Sequence, residues 1–383
     1  MMEKFQANGF PLLIGSLPMG DHEKAVKLVL EYTPDIPLWV QLPVYKEEGM
    51  IFQFMPGLPG LSIEDGRAYL DTEKESFSDD LLSFYEDYMA VAEGKSDIGQ
   101  SRFAMKADTT KGFFTLMERV RMLDTSPVAV KGQVTGPITF CTGIKNQSGR
   151  AIFYDEQLRD AAVKLLAQKA RWQVRQLSEF GCPVIIFLDE PALAGFGSSE
   201  FISISQEEVA ACFEEIIGAI HEEGGLAGVH VCANTDWTLI LDSPADIVNF
   251  DAYAYFDAFI LYKKQIKAFL ESGRIIAWGI VPTLEPSDIE KETADSLTAQ
   301  WEDKARQIEE MGIDRSVLLA QSFITPSCGT GSLSLDHATK VLRLTKEVSE
   351  QVRNWERKGL GVKNLSRFHL GDTRHPHFPI PNT

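Results

Sequence analysis

Along this chain, short apolar runs alternate with longer stretches whose apolar residues recur every three or four positions. The runs are FPLLIGSL from Phe10, PLWVQLP at 37–43, VAVKGQVTGP at 128–137 and VIIFLDEPAL from Val184. They continue as LAGVHVC from Leu226, ADIVNFDAY from Ala245, RIIAWGIVPT from Arg274 and SVLLAQSFITPSC from Ser316. Most lead into a helical pattern, such as HEKAVKLVLEY, DAAVKLLAQKARWQVRQLSEFG, QEEVAACFEEIIGAIHEEGG, DWTLILDS and FILYKKQIKAFLESG. Long helices are predicted from Asp288 to Met311 and over SLDHATKVLRLTKEVSEQVRNWERK. Near-continuous apolar strands between amphipathic helices predict a parallel sheet covered by helices. Eight such units predict an α/β fold of the (β/α)8 TIM-barrel type, with a doubly wound open sheet as the alternative.

One region breaks the rhythm. Residues 44–125 open with the Gly/Pro-rich EEGMIFQFMPGLPGLS and continue into an acidic, aromatic helical stretch. They are read as an insertion or lid after the second strand, inside a single barrel spanning residues 1–358. Residues 359–383, rich in Pro and His at their end, are expected to form an extended tail, with His375 and His377 inert in it.

Composition narrows the functions. Of 383 residues, 44% are hydrophobic and 24% charged, ordinary for a globular protein. Lysine and arginine total 37 against 55 acidic residues, a formal charge of -18, which disfavours nucleic acid and anionic membrane surfaces as partners. No apolar run approaches the roughly 20 residues of a membrane span. The N-terminal MMEKFQANGFPLL lacks the pattern of a signal peptide, and five cysteines are too few for a disulfide framework, so a cytoplasmic location is expected.

The barrel reading sorts the polar residues. Catalytic groups of such barrels sit at the C-terminal ends of the strands. There the runs are interrupted by Gly15 and Ser16, Gln41, Thr135, Asp189 and Glu190, His230 and Cys232, Asp251, Thr283 and Cys328. His230 and Cys232 are two positions apart, so in a strand they face one side. With Cys328 in TPSCGTGS and Asp251 at another strand end, they make an imidazole, two-thiol, one-carboxylate set suited to zinc. Cys141, Cys182 and Cys212 read as core residues, and His22, His221, His337 and His369 as hydrogen-bonded or exposed. A site this rich in anionic ligands is a poor activator of water, yet it leaves a bound thiol deprotonated and nucleophilic, which favours thiol alkylation over hydrolysis.

The HVC near the middle, the following ADIVNFD and the late TPSCGTGS resemble the catalytic barrel of cobalamin-independent methionine synthases. IGSLP, LDEPAL and VTGPIT are similar to that family's IGSFP, DEPAL and GPVT, in the family's order from about residue 14 to 350. The wider superfamily holds uroporphyrinogen decarboxylase and the corrinoid-linked methyltransferases. The resemblance implies Zn2+ held by His230, Cys232 and Cys328, with Asp251 where the family has a glutamate ligand. It also implies homocysteine as substrate, its amino-acid end held by Ile14, Gly15, Ser16 and Asp189, with Glu190 and Thr135 among the substrate-binding positions. The metal ligands and Asp189 are then the catalytic set.

Two departures bear on the remaining parts. The family's second ammonium-binding carboxylate, on a GExER-like segment, has no match in GMIFQFMPGLPGL. The tryptophan that follows GPVT on the folate side is also absent, since FCTGIKN follows GPIT, and the chain has the length of the catalytic half alone. These features resemble short methionine synthases whose donor is methylcobalamin or a methylated corrinoid protein. The alternatives are a methylcorrinoid enzyme acting on another thiol such as coenzyme M, a uroporphyrinogen decarboxylase-like enzyme, and a structural zinc protein.

Overall fold

The computed structural model describes residues 5–64, 66–196 and 204–359. Residues 360–383, with His369, His375 and His377, lie outside them.

Ahead of the main sheet come helix α1 (His22–Tyr32), a hairpin of β1 (Leu61–Glu64) and β2 (Arg67–Leu70), and helices α2 (Phe77–Ala92) and α3 (Ala107–Arg121). Six parallel strands follow in the order β3 (Val130–Thr135), β4 (Val184–Asp189), β5 (Leu226–Val231), β6 (Ile247–Phe250), β7 (Ile275–Val281) and β8 (Ser322–Pro326). Sequence order is also spatial order. That is what short right-handed strand–helix–strand connections produce.

Helix α4 (Pro137–Gly143) and α5 (Glu156–Leu177) join β3 to β4, α6 (Gln206–Glu222) precedes β5, and α7 (Thr238–Leu241) precedes β6. Then come α8 (Ala252–Phe259), α9 (Lys263–Glu271), α10 (Pro286–Lys291), α11 (Ala294–Glu309), α12 (Arg315–Ala320) and finally α13 (Leu335–Gly359). Several helices start on side-chain caps. Asp155 accepts from Gln157 N and Leu158 N, and Ser205 with Glu208 forms a capping box on α6.

Two of the eight expected strands are not strands. The runs at 10–17 and 37–43 form only isolated parallel bridges, Pro11 to Ile324, Ser16 to Gln41 and Leu38 to Lys131. Pro11, Pro37 and Pro43 lack the N–H groups that a longer ladder needs. The bridges nonetheless carry backbone bonds. Leu12 N donates to Ile324 O at 2.9 Å, Gln41 N to Gly15 O at 3.1 Å, and Trp39 N to Lys131 O at 2.9 Å. The two edge strands, β3 and β8, are thus each bonded to one of these segments, and the segments to each other.

Two further elements differ from the reading. SVLLAQ, taken as part of the last strand, forms α12, and the helix expected from Asp288 divides into α10 and α11 at the Thr293–Ser296 cap. No helix among the described residues is long and apolar enough to cross a membrane.

Candidate metal centre

Cys232 directly follows β5 and Cys328 follows β8, while His230 is inside β5. One ring nitrogen of His230 and the two Sγ atoms lie within 4.8 Å of one another, a His–Cys–Cys group able to hold a metal ion. The ring orientation of His230 follows from its neighbour. Asn249 Nδ2 donates to Ala277 O and to Thr325 Oγ1, both at 2.9 Å, so Asn249 Oδ1 faces His230 and accepts from its Nδ1. The proton is thereby held on Nδ1. Nε2, buried and without any hydrogen-bond partner among the described residues, keeps its lone pair toward the thiols.

That is the arrangement a metal-binding imidazole needs, and the three donors fit zinc. The two thiols are coupled: Cys232 is pulled down, first by a hydrogen bond from Cys328 and then by His230, and Cys328 is pushed up by the same contact.

Asp251 is not gathered into the group. It ends β6 as the N-cap of α8, its Oδ1 accepting from Ala254 N at 2.9 Å. Burial pushes its pKa up to about 6, and the Ala254 bond only partly offsets this. Three donors with a carboxylate at the margin leave a coordination position open, the pattern of catalytic rather than structural zinc sites.

Next to the group, Asp189 ends β4 beside His230, its register partner in β5. Its Oδ1 is buried and has no partner among the described residues. Burial raises its pKa, opposed by the charges of Lys131 and then His230.

The turn at 14–16 closes the other side. Ser16 O accepts from Thr330 N at 3.0 Å and from Thr330 Oγ1 at 2.9 Å, and Ser16 Oγ accepts from Gly331 N at 3.1 Å. Glycine is required in that late loop, because a Cβ on Gly329 would stand 2.3 Å from Ser16 Oγ. Thr283 N donates to Ser327 Oγ at 3.1 Å, which fixes the residue before Cys328.

Two expected substrate positions are occupied by the protein itself. Glu190 accepts from Ile138 N at 2.8 Å, Thr139 N at 2.9 Å and Thr139 Oγ1 at 2.7 Å, so its carboxylate caps α4. A Cβ on Gly136 would fall 2.1 Å from that carboxyl group. Burial still pushes Glu190 up to about 7. Thr135 Oγ1 donates to Met50 O, which brings the Gly/Pro-rich segment to the end of β3.

Lys131, Gln133 and Asn249 were passed over in the sequence. The signal for the first two was present: Lys131, Gln133 and Thr135 alternate in VKGQVT, so one face of an otherwise apolar strand is polar. Lys131 is wholly buried, with Nζ 2.5 Å from Ile14 O and 3.3 Å from Gln133 Oε1. His22, His221 and His337 are bonded to Glu48, Asp246 and Glu290, and Cys141 and Cys212 are buried.

No family model and no curated protein matches the chain. Among solved structures it is similar to a methyltransferase from Methanosarcina mazei, at 13% identity and a TM-score of 0.51, over 88% of this chain and 85% of that one. It also overlaps a B12-independent methionine synthase from Shewanella sp. W3-18-1 in complex with selenomethionine, at 19% identity and a TM-score of 0.45, over 65% of this chain and 67% of that one. A third overlap is with the tandem GH20 catalytic modules of the pneumococcal exo-beta-D-N-acetylglucosaminidase StrH, at 9% identity and a TM-score of 0.43, over 92% and 89%. The likeness to the Methanosarcina protein is one of fold. The other two overlays are too loose to carry more.

Proposed function

We propose that the chain is a (β/α)8 barrel, with 44–125 inserted after its second strand segment, that transfers a methyl group to the thiol of homocysteine. The single observation that carries this reading is the bare Nε2 of His230 facing Cys232 and Cys328. The ordered motifs from IGSLP to TPSCGTGS support the same reading, as does the shared fold with a methyltransferase.

His230, Cys232 and Cys328 would hold zinc, and the chemistry the ion supplies is a lowered thiol pKa at the open position. The chain's own residues do the rest. Asn249 holds the imidazole tautomer. Asp189 offers a buried, unpartnered carboxylate oxygen to the acceptor's ammonium, which favours an amino-bearing thiol over coenzyme M. The backbone of Ile14, Gly15 and Ser16 receives the carboxylate. Methyl leaves its donor without its bonding pair, the acceptor sulfur supplies the new pair, and the donor keeps its own. A methylcorrinoid is the proposed donor, with the segment from Met50 to Leu61 as its contact.

The test is methionine formation by zinc-loaded protein from homocysteine with methylcobalamin or methyltetrahydrofolate. Methylcobalamin should support turnover and methyltetrahydrofolate little; comparable turnover with the folate, in the absence of corrinoid, would overturn the donor. Asp189→Asn should weaken homocysteine binding about ten- to a hundredfold, the worth of one charge-assisted bond, while zinc content stays at one per chain. Unchanged binding removes Asp189 from the acceptor site.

A further inference from the structure

We infer that Lys131 is a positioning residue of the acceptor site, holding the Ile14–Ser16 turn in place from inside the barrel. This rests on the acceptor reading above and deepens it. Lysine is among the residues least often fully buried, and burying an ammonium is costly unless its protons are used. Here its two hydrogen-bond acceptors are uncharged, Ile14 O and Gln133 Oε1.

Gln133 is itself fixed. Its Nε2 donates to Trp39 O at 2.9 Å, so Oε1 is the atom left for Lys131. Its backbone N donates to Gln173 Oε1 at 3.1 Å and its backbone O accepts from Gln173 Nε2 at 2.9 Å. The space for that reach comes from Gly132, where a Cβ would meet Gln173 Oε1 at 2.3 Å. On its other side, Nζ lies 4.6 Å from the centre of the Phe187 ring. Every contact therefore steers one ammonium onto one carbonyl, that of Ile14.

Ile14 belongs to a segment tied to the sheet only by isolated bridges, so a buried tether gives it a position the ladder does not. Turning Ile14 O inward leaves the following peptide groups to meet the substrate carboxylate. The Lys131 ammonium also acts on Asp189 as a positive charge. Burial lowers the lysine to about 8.

The experiment compares homocysteine with 2-mercaptoethanol, which has neither ammonium nor carboxylate, on zinc-loaded protein by calorimetry. Lys131→Met should weaken homocysteine by about tenfold or more, the worth of a charged hydrogen bond, and leave 2-mercaptoethanol and zinc content unchanged. Lys131→Arg should recover part of the loss. A structural role alone would not move this ratio between two thiols. Should Lys131→Met fail to fold, Gln133→Leu, which removes the steering oxygen, should shift the ratio in the same direction. A folded, zinc-replete Lys131→Met or Gln133→Leu with the wild-type ratio overturns the inference and leaves the acceptor reading standing. Wild-type protein without preference for homocysteine overturns both.

Discussion

The inward faces of the strands fall into two layers of opposite character. At the N-terminal ends, Ile185 and Phe187 of β4, Ile247 of β6, Ile275 and Ala277 of β7 and Phe323 of β8 form a separate apolar cluster with Ala7, Leu12, Ile36 and Ala129. Two positions further along the same faces stand Asp189, Asn249 and Thr325, all buried, with His230 beside them. Phe187 marks the boundary, with the Lys131 ammonium on its ring. The lower layer is apolar on β4, β6, β7 and β8, and only β3 brings polar side chains, Lys131 and Gln133, to the levels of Ile185 and Phe187. The upper one spends hydrogen bonds on holding other polar groups, and leaves Asp189 Oδ1 and His230 Nε2 unmatched. Unmatched buried polar atoms are costly, so their clustering in one layer marks where a ligand belongs.

The contrast is broken most directly by one substitution in each layer. Phe323→Ala in the apolar cluster should cost about 3–5 kcal/mol of unfolding free energy, while the folded fraction still binds one zinc. Cys328→Ser should do the reverse, losing the metal and shifting the metal-free unfolding free energy by less than about 1 kcal/mol. Denaturant titrations with and without chelator read both; a Cys328→Ser protein that keeps stoichiometric zinc would dismantle the metal centre.

A smaller effect sharpens the upper layer. Asn249→Leu frees the His230 tautomer and should weaken zinc about ten- to a hundredfold, measured by competition with a chromophoric chelator. Wild-type affinity in that variant would mean that Nε2 is not a ligand.

The smallest effect concerns Glu190. Its folded pKa of about 7 lies above its ordinary 4.5, so between these values the folded state keeps a proton that the unfolded chain has released. Stability should therefore fall as pH rises through that window and level off above it. Glu190→Gln removes the titration, so the Tm difference between wild type and variant should drift from pH 4.5 to 7. A constant difference would mean Glu190 titrates normally.

The six strands β3 to β8 were legible because parallel strands buried on both faces are written as unbroken apolar runs. The His-x-Cys pair and Cys328 were legible because polar residues stand out at the ends of such runs. Asp251 stands outside the His–Cys–Cys group for a reason visible in α8: a carboxylate at a strand end that begins a helix serves equally as an N-cap, and spacing does not separate the roles. Glu190 likewise caps a helix, through amides of Ile138 and Thr139 that lie 52 and 51 residues earlier in the chain. The segments at 10–17 and 37–43 read as strands because their hydrophobicity matches the others, but their prolines limit each contact to a bridge. Lys131 was missed although its alternation with Gln133 and Thr135 was in plain view.

The bond between Ser16 and Thr330 joins residues 314 apart, and Cys328 lies just before that seam. Contacts of such separation are among the last a chain can form, because the intervening loop must be closed first. During synthesis, the half-site of His230 and Cys232 emerges long before its third donor. On the zinc reading, the ion would be captured at full strength only after the last strand has met the first segment. If it binds the closed chain and not the unfolded one, it would act as a latch whose hold grows with metal supply. Metal-starved cells would accumulate chains whose ends separate more readily than their middles, and limited proteolysis near residue 16 or 330 would reveal them first.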